Sequence, residues 1–166
     1  MKIVGDKLGS IASLERDHFK KDLFGRSAFN RYYYAAFLVT REMLGELNPS
    51  WKRTAHREIP NLLLTGVRKP VVRKLKESVK KDLMTLGESS ALQTKLTKAT
   101  TELSNLLLQA YDVRSVADYE PEQQITLNNN IIALSSCKLT LANTWADKAS
   151  AYCKGIRKVW KESGVA

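Results

Sequence analysis

Histidine and cysteine are scarce in this chain, at two residues each. Two cysteines cannot build a disulfide framework. Cys137 and Cys153 fall in what the pattern predicts as one helix, where 16 residues of separation correspond to roughly 24 Å, so they are expected as small core residues rather than a bonded pair. His18 and His56 are too few to seed a zinc site without carboxylates. There is no Gly-rich phosphate loop, no Cys-x-x-Cys and no Gly-x-Ser-x-Gly, which leaves phosphate-loop, zinc and serine-hydrolase chemistry without residues to carry it. Neither a metal nor a cofactor is expected. The longest apolar run, Tyr32 to Val39, is far below the roughly 18–20 residues needed to cross a bilayer. Asp6 and Lys7 stand where a signal peptide would carry its apolar stretch. The reading is therefore a cytoplasmic protein with no membrane partner.

What is present is the balance of one soluble domain over residues 1–166, with 43% hydrophobic and 27% charged residues. The fold class expected is all-α, a helical bundle of about five to six helices. Strand signals are almost absent: no stretch combines alternation with β-branched enrichment, and no Asn-Gly or Asp-Gly turn separates two such stretches. A short first helix is predicted from about Ser10 to Leu23, ended near Gly25. A second starts at Ser27 as N-cap and runs to Leu47, stopped by Asn48-Pro49. A short helix follows around Ala55 to Leu64. Pro70 suits the first turn of a fourth, with Val71, Val72, Leu75, Val79, Leu83 and Leu86 as its apolar stripe and Gly87 as its end. A fifth covers about Ser89 to Val116, and a sixth about Thr126 to Trp160.

The net charge of +10 is concentrated. Trp51 to Lys81 holds ten Lys/Arg against Glu58 and Glu77. Lys69, Arg73, Lys76 and Lys80 form a stripe on the fourth helix that suits a nucleic-acid backbone, or a solvated face. Arg31 sits in the aromatic-rich stretch Ser27-Ala28-Phe29-Asn30-Arg31-Tyr32-Tyr33-Tyr34-Ala35-Ala36-Phe37. A buried guanidinium is costly unless paired, so Arg31 is expected either to have an acidic partner or to face an anion. Asp118, in Arg114-Ser115-Val116-Ala117-Asp118-Tyr119-Glu120-Pro121, is the natural mate of Arg31 or Arg114.

These two segments, with the His56 region between them, resemble the HEPN domain, and most closely the small bacterial and archaeal HEPN proteins. The matches fall in order over roughly residues 10 to 150. The resemblance implies an all-α bundle, a homodimer, and a role in a prokaryotic defence or toxin–antitoxin system, with RNA or a nucleotide as ligand and a partner protein from the same system. Many members are metal-independent endoribonucleases in which an Arg and a His four to six residues later meet the dimer mate's pair. Carried onto this chain, the catalytic candidates are His56 as acid/base, Arg31 as phosphate binder, and Tyr34 or Arg114 as helper, with Asp118 and Tyr119 structural. The four-to-six spacing is absent here, since His56 follows Arg53 after two residues. Two readings therefore stand: an endoribonuclease, or a non-catalytic module that binds a nucleotide, nucleic acid or protein.

Overall fold

The computed structural model describes residues 1–129 and 131–165. It is mostly helical, with one small sheet. Among the described residues, five helices have 13 or more residues: α1 (Lys2–Leu14), α2 (His18–Leu47), α4 (Arg68–Lys80), α5 (Leu86–Tyr119) and α7 (Trp145–Glu162). Between α2 and α4 lie a 3₁₀ turn (Pro49–Arg53), the one-turn α3 (Ile59–Asn61) and a π-type turn (Leu62–Gly66). Between α5 and α7 lie β1 (Thr126–Asn128), β2 (Ile131–Leu134), β3 (Cys137–Lys138) and the short α6 (Leu139–Asn143). The chain packs as two compact units, one of Met1–Leu38 with Leu107–Lys148, the other of Val39–Leu106 with Ala149–Ala166.

The helical periodicity survives in the core. On α2 the fully buried residues Ala28, Phe29, Ala36, Met43 and Leu44 follow a 3.6-residue period, as do Leu96, Leu103 and Ala110 on α5. Several expected boundaries move. Gly25 does not end a helix; α2 runs straight through it, begun by Asp17, whose carboxylate accepts from Lys20 N at 3.0 Å. Gly25 is there for packing, because a Cβ at that position would lie 2.9 Å from Ile125 Cγ1. Gly87 likewise starts a helix rather than ending one. Thr85 and Glu88 form a capping box: Thr85 N donates to Glu88 Oε2 at 2.8 Å, and Glu88 N donates to Thr85 Oγ1 at 3.2 Å. The break between α4 and α5 leaves Leu83 and Leu86 exposed, outside the apolar stripe expected of them, while Val71 and Leu75 are fully buried.

The largest correction concerns residues 126–138, expected as the start of a sixth helix. Among the described residues of this stretch, 126–128, 131–134 and 137–138 form a three-stranded antiparallel sheet in the order β1-β2-β3. Thr126 pairs with Ala133 and Asn128 with Ile131; Leu134 pairs with Cys137. Two turn residues take the left-handed conformation that such tight hairpins need, Asn129 at φ 50° and Ser135 at φ 52°. Leu127, Ile131 and Leu134 have helix-like spacing, but burial on β2 alternates, with Ile132 and Leu134 inside. Cys137 is therefore on a strand and Cys153 on α7, not on one helix. Both are free thiols, and burial pushes each up to about 11.

Candidate functional site

In the first unit, α2 and α5 build a polar and aromatic cluster. Arg114 forms an ion pair with Asp118 one turn further along α5, at 2.5 Å. Asn30 Nδ2 donates to the same carboxylate. The Arg114 guanidinium lies 5.4 Å from the centre of the Tyr119 ring. Burial works against the Arg114 charge, but Asp118, Tyr119 and Tyr34 outweigh it and raise the pKa. Tyr33 is stacked or edge-on to Tyr34, Phe37 and Tyr111, with ring centres 5.4 to 6.1 Å apart. Burial pushes its hydroxyl up to about 12, so it stays protonated. Asn30 Oδ1 and Arg114 Nε are buried without a hydrogen-bond partner.

Of the residues singled out from sequence, Tyr34, Arg114, Asp118 and Tyr119 thus come together. Arg31 does not join them. It is exposed, and among the described residues no acid pairs with it. The reason is phase: Ala28, Phe29, Tyr32 and Tyr33 take the buried side of α2, and Arg31 falls on the other side. Of the two mates open to Asp118, the structure selects Arg114. His56 is half-buried in the turn before α3, in the second unit.

Sequence reasoning missed Arg26, a half-buried arginine of α2. Its Nε donates to Asp22 at 2.7 Å. Its other nitrogens donate to the carbonyls of Val116 and Ala117 at 3.1 and 3.0 Å, to Glu120 O at 2.9 Å, and to Gln123 O. Two of these carbonyls belong to the last turn of α5, which carries no basic residue of its own; Val116 O also accepts from Glu120 N at 3.1 Å. Asp22 completes the clamp by accepting from Ile125 N at 2.7 Å. The Asp22/Arg26 spacing of four was the available signal, though any surface pair shares it.

In the second unit the four basic residues lie as the spacing predicts. Lys69, Arg73, Lys76 and Lys80 are all exposed, within about 60° of one another at 100° per residue, and opposite the buried Val67, Val71 and Leu75. Arg73 has only a loose contact to Glu77, at 4.0 Å. Arg68, on the same helix, is structural: it donates to Thr100 Oγ1 at 2.7 Å, Thr101 Oγ1 at 2.6 Å and Thr97 O at 3.0 Å on α5. This unit holds 17 Lys/Arg against 8 Asp/Glu, +9 of the chain's +10; the first holds 10 against 9. Among the described residues no group of three or more His, Cys, Asp or Glu could hold a metal ion, and no helix is long and apolar enough to cross a membrane. No protein-family model, curated protein or solved structure matches the chain.

Proposed function

We propose that this chain is a non-catalytic RNA-binding protein of HEPN type, and that the outer face of α4 is its contact with the phosphate backbone. The observation that carries the reading is the exposed alignment of Lys69, Arg73, Lys76 and Lys80 in a unit of net charge +9. From Lys69 to Lys80 the helix rises roughly 16 Å, the length of about five phosphates along one strand of a duplex. The resemblance to HEPN proteins supplies RNA as the polyanion, a homodimer as the assembly, and a prokaryotic defence or toxin–antitoxin system with its own partner protein as the setting. Endoribonuclease activity has less support, because Arg114 is already held by Asp118 and, among the described residues, no ion pair orients Arg31.

The test is fluorescence anisotropy with a labelled single-stranded oligoribonucleotide in EDTA at two salt concentrations. Four phosphate contacts predict an affinity about 50-fold weaker at 200 mM than at 50 mM salt, from the single-strand counterion slope. The RNA should remain intact on a gel. Absent or salt-insensitive binding would overturn the reading. Cleavage that survives EDTA and disappears in both Arg31→Ala and His56→Ala would replace it with the endoribonuclease.

A further inference from the structure

A second feature lies in the first unit, where the charge is nearly balanced. Gly5 lets α1 close onto the Tyr32 ring, since a Cβ there would stand 2.7 Å from Tyr32 Cε1. Beside this contact α1, β2 and α6 border an open cleft of about 460 Å³, within the range of small-molecule sites. Its floor is apolar, from Ile131, Ile132 and Leu139; its wall is polar, from Asp6, Ser10, Ser13, Tyr32 and Asn143.

The polar wall has its donors already committed. The Tyr32 hydroxyl donates to Asp6 Oδ1 at 2.9 Å. The Asn143 amide nitrogen donates to the same oxygen at 2.6 Å and to Tyr32 Oη at 3.1 Å. The Ser10 hydroxyl donates to Asp6 O at 2.9 Å, and the Ser13 hydroxyl to Ser10 O at 2.8 Å. Burial and the bond to Asp6 push the Tyr32 hydroxyl up to about 12, so it stays a donor to the carboxylate. The remaining capacity is almost all for accepting: Asp6 Oδ2, Asn143 Oδ1 and the serine lone pairs; among the described residues, Thr140 is the one lining hydroxyl with no bond within the fold. The nearby Lys2 ammonium is taken by Asp147 at 2.7 Å. An anion would meet a carboxylate and spent donors there. A cation with an apolar tail would meet acceptors and an aliphatic floor.

We propose that this cleft binds a small aliphatic ammonium compound, with the ammonium at Asp6 and the chain over Ile131, Ile132 and Leu139. The probe is n-hexylammonium, titrated against the full chain while the isoleucine and leucine methyl resonances are followed; hexanoate, which has a similar tail and the opposite charge, is the control. The expected result is saturable shifts at Ile131, Ile132 and Leu139 with hexylammonium and none with hexanoate. Asp6→Asn should weaken binding about tenfold or more, since it removes a charged acceptor. Asp6 also accepts two internal bonds, so Ser13→Trp, which fills the cleft and leaves the bonds among Asp6, Tyr32 and Asn143 in place, is the second variant and should also abolish the shifts. Hexanoate binding as well as hexylammonium, no saturable hexylammonium shifts, or shifts unchanged in Ser13→Trp would each overturn the proposal.

Discussion

The unit containing the N-terminus and the unit containing α4 use their polar side chains differently. In the first, Arg26, Arg114, Asp6, Asp22, Asp118, Asn30 and Asn143 are joined in hydrogen-bonded groups within the fold. In the second, the four basic residues of α4 lie in solvent, while Arg68 and Arg157 have close, well-defined partners. The same residue type thus does different work according to what its helix packs against. Arg26 meets carbonyls at and just beyond the end of α5 and becomes a clamp. Arg73, on a helix whose buried side is already filled by valine and leucine, remains available to a ligand.

Substitutions can break this contrast. Arg26→Ala should have the largest effect, about 3 kcal/mol of lost stability, because it removes at once the hydrogen bonds to four carbonyls and the cation beside the part-buried Asp22. Arg31→Ala, five residues on, should cost less than about 0.5 kcal/mol. Chemical denaturation of the two variants side by side checks this; equal losses would mean that the clamp has no special weight. The next effect belongs to the basic unit. Reversing Lys69, Arg73, Lys76 and Lys80 to glutamate should weaken RNA binding about 50-fold or more at 50 mM salt and flatten its salt dependence. Arg31→Glu should leave binding within about threefold, the share of one phosphate contact among four on the same scale. A larger drop with Arg31→Glu would move the contact to the other unit.

Smaller effects sharpen the same picture. Thr85→Ala should cost about 1 kcal/mol by opening the capping box at the start of α5, read as a lower thermal midpoint. Smallest is the half-exposed ion pair Arg157–Glu46, at 2.5 Å on the surface of the second unit. The hydrogen bond from Arg157 holds the Glu46 pKa below its ordinary value. A carboxylate depressed on folding stabilises at pH values above its unfolded pKa and loses that contribution as pH falls through the folded one. Glu46→Gln should therefore lower the thermal midpoint slightly near pH 7, and the gap should close on acidification below about pH 4.

The long helices were legible because α5 and α7 bury residues at helical intervals over many turns, and one misplaced residue changes little in such a sum. The sheet was not. Its strands are two to four residues long, and Leu127, Ile131 and Leu134 satisfy a helical period as well as a strand's. Asn129 and Ser135 carry the decision through positive φ, which their identity permits but does not require. The glycines misled for a related reason. Gly25 and Gly87 resemble helix stops, yet Gly25 is needed because Ile125, a hundred residues away, occupies the space of its side chain.

At the candidate sites, the basic face of α4 followed from sequence, because four exposed cations and two buried aliphatics at fixed spacing define opposite sides of a helix without any partner. The pairing of Asp118 with Arg114 was one of two alternatives that the sequence held open. Arg26 in its clamp and Asp6 between Tyr32 and Asn143 came only from the tertiary structure. Composition, periodicity and charge on a single helix are local properties, and the sequence by itself determined those. Which donor meets which acceptor across 90 or 137 residues depends on how the helices pack, and hydrogen bonding is too short-ranged to leave a mark in the sequence until the chain has folded.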